Sequence, residues 1–276
     1  MTLSERNTFF KLGMVFCAIV TLLVIAASFL VIPMYSTMEE NSRHPPNLIQ
    51  FITGLFLKTD YLAVHSSIAL AVLFALISLI LIHSFFERTS AQEILYISFF
   101  TFSLSLEAVR LIVPLHLLNI FPMFYLITAA RILLFARYFA IFSLFAASIC
   151  AAGLEVQKTR NMILFLIVPA LVISLGAPID VQSWDTGFVF IKGYTSMFSM
   201  IKILAFITTT ANFFVAVKVR NSKEYIYVAI GVGAAMAGRY VLIGTDNWAG
   251  SIAGILLLVF GTWFVCSKLH KIHLWL

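Results

Sequence analysis

Runs of about twenty apolar residues alternate along this chain with short polar breaks, a length suited to crossing a hydrocarbon layer of about 30 Å. The runs fall near 9–33, 62–83, 92–113, 122–150, 162–178, 194–217, 224–244 and 249–267. They predict an all-α, polytopic transmembrane helical bundle of about eight helices, forming one domain over residues 1–276. The fifth run is the shortest and carries Pro169, while the fourth is long enough to tilt or protrude. The first run, Leu12 to Ile32, exceeds the apolar core of a secretory signal, about 7 to 15 residues, so it reads as a retained helix.

The polar breaks are short except the one from Met34 to Tyr61. Within it, Leu48, Ile49, Ile52, Leu55 and Phe56 recur at helical spacing, which predicts a short amphipathic helix in an external loop over 34–61. Such a helix lies on the membrane surface or covers the bundle. No other loop is long enough to fold into a domain, so any signalling output requires a partner protein. In the last two spans, Gly231, Ala235 and Gly238 face Gly250 and Gly254 at the small-residue spacing that lets two helices approach closely.

Composition agrees with the pattern: 62% of residues are hydrophobic and 11% charged, with a mean hydropathy of +1.03. The net charge of +6 arises from Lys and Arg gathered on alternate loops. Placing the N-terminus in the cytoplasm puts Arg6, Lys11, Arg88, Lys158, Arg160, Lys218, Arg220, Lys223, Lys268 and Lys271 inside, and only Arg43, Lys58 and Lys192 outside. The expected orientation is therefore N-in and C-in, and the basic balance reflects topology rather than nucleic-acid binding. Cys17, Cys150 and Cys266 lie in or beside apolar runs and form no disulfide framework. His65, His83 and His116 are scattered singly, and His270 with His273 lacks a third ligand, so no metal, cofactor or catalytic constellation is read. The absence of Asn-x-Ser/Thr favours a bacterial cytoplasmic (inner) membrane.

Five cations interrupt the apolar runs: Arg110, Arg131, Arg137, Lys202 and Arg239, with Glu107 as the evident counter-charge. Each costs about 2.5 to 3.5 kcal/mol at the centre of a span unless compensated. In the expected orientation all but Arg137 share the outer leaflet. Arg137 lies about 120° around its helix from Arg131 and reads as a structural residue bonding carbonyls or a hydroxyl. One arrangement pairs Glu107 with Arg110, Asp180 or Asp246 with Arg239, and Asp185 with Lys192. It leaves Arg131 and Lys202 without acids. That remainder points to an anionic ligand, a small molecule or acidic membrane lipid, held by Arg110, Arg131, Lys202 and Arg239 with Glu107 beside them. Function is then sensing or modulation of a partner. A small-anion transporter, a lipid-phosphate enzyme and a structural membrane subunit are the alternatives.

The segments Arg131-Ile-Leu-Leu-Phe-Ala-Arg-Tyr-Phe139, Ala177-Pro-Ile-Asp180, Ser222-Lys-Glu-Tyr-Ile-Tyr227, Gly238-Arg-Tyr240 and Lys268-Leu-His-Lys-Ile-His-Leu-Trp-Leu276 resemble a family of uncharacterised bacterial multi-pass membrane proteins. The resemblance runs from the third span onward and implies no particular activity. In helix number alone the chain is also similar to the membrane-embedded sensor regions of bacterial receptors, without their output domain.

Overall fold

The computed structural model describes residues 3–39, 58–87, 89, 91–153 and 159–274. Among them are eight helices: α1 (Leu3–Glu39), α2 (Tyr61–Phe86), α3 (Gln92–Leu117), α4 (Met123–Ala151), α5 (Thr159–Gly176), α6 (Thr195–Val219), α7 (Glu224–Gly244) and α8 (Trp248–Leu274). Seven are long and apolar enough to cross a membrane, so the chain is an all-α, multi-pass membrane bundle. The other, α5, has 18 residues and a length of about 27 Å at about 1.5 Å per residue. The amphipathic helix expected around Leu48 to Phe56 lies outside the described residues.

Between α5 and α6 the chain forms a small antiparallel hairpin, β1 (Ile179–Trp184) and β2 (Phe190–Lys192), with an irregular register between Asp180 and Trp184. It sits at one end of the bundle, the hairpin end. There Tyr35 of α1, Tyr61 of α2 and Phe188 of the hairpin turn stack with centroids 5.8 to 6.1 Å apart. Asp60 caps α2 by accepting from the Leu62 amide at 2.8 Å, and it also accepts from Trp248 Nε1 at 2.8 Å, joining α2 to α8. At the opposite end, Arg6 of α1 donates to the Phe86 carbonyl at 2.7 Å, and the Phe86 ring meets His270 of α8 at 5.4 Å. The first and last described helices therefore share this second end, called the termini end below.

Two features of α3 and of the α7/α8 pair shape the interior. Pro114 has no N–H to donate to the Arg110 carbonyl four residues earlier and its ring crowds that carbonyl. The preceding turn, Leu106–Leu111, is a 3-10 helix, in which residues three apart are eclipsed. Glu107 and Arg110 thus stand one above the other. On α7 and α8 the small residues face each other, as their spacing predicts. A Cβ on Gly238 would stand 2.4 Å from the Leu258 amide, one on Gly254 2.5 Å from the Leu242 amide, and one on Gly261 2.4 Å from the Ala235 amide. The backbones touch where a side chain would separate them. Gly250 packs instead against Thr245, just beyond the end of α7.

Candidate functional site

Glu107 is fully buried and is shared by three guanidinium groups. Arg137, at the midpoint of α4, forms the closest contact, a fork from Nε to Oε1 at 3.2 Å and from Nη2 to Oε2 at 3.1 Å. Arg239 of α7 approaches Oε1 at 3.7 Å, and Arg110 approaches Oε2 at 4.0 Å. One carboxylate cannot neutralise three cations, and Arg110 and Arg239 also turn to neutral groups. Arg110 donates through Nε to the Gly187 carbonyl at 2.8 Å and through Nη2 to the same oxygen, which ties α3 to the hairpin turn. Arg239 donates weakly to the Ala136 carbonyl at 3.5 Å and lies over the Phe100 ring at 5.7 Å. Its Nη1 is buried and has no hydrogen-bond partner among the described residues.

A fourth cation, Lys202 of α6, stands half-buried in the field of Arg137, Arg239 and Glu107. Among the described residues it makes neither a hydrogen bond nor an ion pair. Arg137, Lys202 and Arg239 line a cavity of about 580 Å³ between α4, α6 and α7, roofed by the hairpin residues Asp185, Gly187 and Val189. Ile203, Phe206 and Tyr240 line the same cavity and are 59%, 39% and 74% exposed, so it opens sideways between α6 and α7, on the surface that faces hydrocarbon.

The lining is segregated along the bundle. α4 and α6 run from the hairpin end toward the termini end, whereas α7 runs back. On α4, Ile141 and Leu144 follow Arg137; on α6, Ile203 and Phe206 follow Lys202; on α7, Met236 precedes Arg239. On all three helices these apolar residues lie on the termini side of the cation. Ser199, Asp185 and Asp246 lie on the hairpin side, together with the apolar Val189 and Ile243, so the termini side is wholly apolar and the hairpin side mixed.

Of the residues singled out from the sequence, the structure brings Lys202 and Arg239 to the cavity wall, with Glu107 bonded behind the cations. Arg110 lies behind the hairpin turn and reaches the site through Gly187. Arg131 is elsewhere: its Nη1 donates to the Ser174 and Ala177 carbonyls at 2.5 and 2.6 Å, and the Ser174 hydroxyl donates back to the Arg131 carbonyl at 2.7 Å. It closes the C-terminal end of α5, where unpaired carbonyls and the helix dipole favour a cation. Arg137, read as standing apart, takes its place in the cavity wall. The 120° between the two arginines does separate their surroundings, but α5 selects Arg131 and the cavity selects Arg137.

The other expected ion pairs do not form. Arg239 goes to Glu107, while Asp246 accepts from the Thr186 hydroxyl and Asp180 from the Gln182 amide at 3.0 Å and the Ser183 hydroxyl. Those bonds hold the Asp180 carboxyl below its ordinary range. Asp185 accepts from the Val189 amide at 2.8 Å within the hairpin turn. Lys192 lies over the Phe198 ring at 5.7 Å. Burial pushes its ammonium down to about 8, and repulsion from Lys202 and Arg137 acts in the same direction against the attraction of Asp185.

Comparison of the chain with protein-family models, with curated proteins and with solved structures found no match.

Proposed function

We propose that this protein binds the anionic headgroup of an amphiphile, a phospholipid or similar lipid, in the cavity between α4, α6 and α7, and acts as a sensor or partner-modulating subunit. The observation that carries this reading is a cationic excess beside an apolar chamber open to the hydrocarbon. Arg137, Arg239 and Arg110 share one buried carboxylate, and beside them Lys202 makes no ion pair or hydrogen bond among the described residues. A charge in that position has a compensating anion or costs several kcal/mol. The segregated lining fits an amphiphile better than a free ion, because a small anion has no use for the apolar half of the chamber. In the N-in orientation favoured by the basic loops, the hairpin end lies outside and the headgroup belongs to the outer leaflet of a bacterial inner membrane.

The test is native mass spectrometry of protein purified in mild detergent without added ligand. The expected wild-type spectrum carries a retained phospholipid, and Lys202→Gln, which breaks no hydrogen bond or ion pair among the described residues, reduces occupancy at least tenfold at unchanged thermal stability. A lipid-free wild type, or equal occupancy in both forms, would overturn the reading and leave the cations as architecture.

A further inference from the structure

Two carboxylates at the mouth of the cavity are not explained by anion binding. Asp185, in the hairpin turn, and Asp246, in the α7/α8 connection, line the cavity on the hairpin side of Lys202 and Arg239. They converge: a Cβ placed on Gly187 would stand 3.2 Å from Asp185 Oδ1 and 3.2 Å from Asp246 Oδ1, with Arg110 Nη2 at 3.0 Å. Neither forms an ion pair within 4.0 Å among the described residues; both attract Arg110, which Glu107 also holds, and Asp185 attracts Lys192 as well. Both are held by the hairpin turn, Asp185 by the Val189 amide and Asp246 by the Thr186 hydroxyl, so the pair is fixed in place. Below them Arg239, 7% exposed, lines the cavity with a buried Nη1 that has no partner among the described residues.

From the hairpin end inward the cavity therefore presents three tiers: two carboxylates beside Val189 and Ile243, then Lys202, Arg239 and Arg137, then the apolar wall of Ile141, Leu144 and Phe206. We infer that the ligand is a lipid whose headgroup joins a phosphate to a primary ammonium, as in phosphatidylethanolamine. Its ammonium lies between Asp185 and Asp246, its phosphate on Lys202, Arg239 and Arg137, and its acyl chains along the apolar wall. The order of charges along such a lipid, ammonium outermost and chains innermost, matches the order of the tiers. A primary ammonium has three N–H donors for the two carboxylates. A trimethylammonium has none and is recognised through aromatic cages instead, and among the described residues the aromatic ones lining the cavity, Phe100, Phe206 and Tyr240, stand below or beside the acids. This inference rests on the lipid-binding reading above and specifies its headgroup.

The experiment titrates the delipidated protein with phosphatidylethanolamine, phosphatidylcholine and phosphatidylglycerol of matched chains, and with O-phosphoethanolamine, by native mass spectrometry. The wild type is compared with Lys202→Gln and with the double variant Asp185→Asn/Asp246→Asn, whose amides keep an acceptor oxygen for the Val189 amide and the Thr186 hydroxyl. Phosphatidylethanolamine is expected to bind at least tenfold tighter than phosphatidylcholine. The double variant should lose that preference while holding phosphatidylglycerol as well as or better than wild type, and Lys202→Gln should weaken all three lipids. Equal binding of all lipids, or a double variant with unchanged preference, overturns the headgroup assignment while leaving anion binding standing. O-Phosphoethanolamine binding as tightly as the lipid overturns the lipid and assigns a soluble aminophosphate. No binding by any of them removes both readings.

Discussion

The described arginines of this protein divide by what compensates them. Arg6 bonds the carbonyls of Phe86 and Glu87 at the end of α2, Arg131 those at the end of α5, and Arg220 lies 3.4 to 3.5 Å from those of Ala151 and Cys150 at the end of α4. Such residues use the unpaired carbonyls and negative pole of a helix terminus and need no acid. Arg110, Arg137 and Arg239 instead depend on Glu107. Replacing Glu107 by Gln leaves the cation trio without its counter-charge in a buried site, and breaking such a pair costs about 3–5 kcal/mol. Glu107→Gln is therefore expected to unfold at markedly lower temperature in detergent, with part of the loss recovered on adding a phospholipid that supplies the missing negative charge. An unchanged Tm would mean that the network is solvated rather than dry. The sequence makes Glu107 visible as the counter-charge of these arginines, because a carboxylate within an apolar run has few other uses. It cannot separate Arg131 from Arg137, since that depends on which neighbouring helix ends beside each one.

The helices were more legible than their connections. Length and apolarity locate every span, because nothing except hydrocarbon rewards twenty such residues in succession. The α7/α8 contact is legible as well, because only small residues at that spacing allow backbone approach. Gly254→Val is expected to force α8 away from Leu242 and destabilise the bundle by about 1–3 kcal/mol or more, read as a lower Tm. Gly244→Ala is the control, since a Cβ there meets nothing within 4 Å. Equal Tm values for both variants would show that the helices part without cost. The hairpin left no comparable trace. β1 and β2 are short, their register is irregular, and Ile179, Val181 and Phe190 alternate too briefly to stand out from a polar loop. The mouth of the site was hidden with it. Asp185 and Asp246 are sixty-one residues apart in sequence, and only the hairpin folding back over α7 brings them to the same point.

Charge is distributed between the two ends of the molecule as unequally as between the tiers of the cavity. Arg6, Lys218, Arg220, Lys223, Lys268 and Lys271 stand at or near the termini end, where Glu224 pairs with Lys268 at 3.0 Å and Lys271 at 2.9 Å. Among the described residues outside the spans, the hairpin end offers Lys58 and Lys192. By the positive-inside rule the termini end is expected in the cytoplasm, provided that α5 crosses. Its geometry supports a crossing: Thr159 follows the end of α4 at the termini end, and Ser174 is bonded to Arg131 near the hairpin end. Cysteine labelling tests orientation and crossing together, because the native Cys17 and Cys150 are buried and Cys266 lies within α8, so the wild type should stay blank. A membrane-impermeant maleimide on intact cells is expected to label Gln182→Cys and to spare Ala152→Cys and Ser222→Cys until the cells are opened. The inverse pattern would put the carboxylate mouth in the cytoplasm and its lipid in the inner leaflet. Equal labelling of Ala152→Cys and Gln182→Cys from outside would mean that α5 returns without crossing. The cavity would then meet lipid at a different depth, and a lipid lying headgroup-outward could no longer match its three tiers.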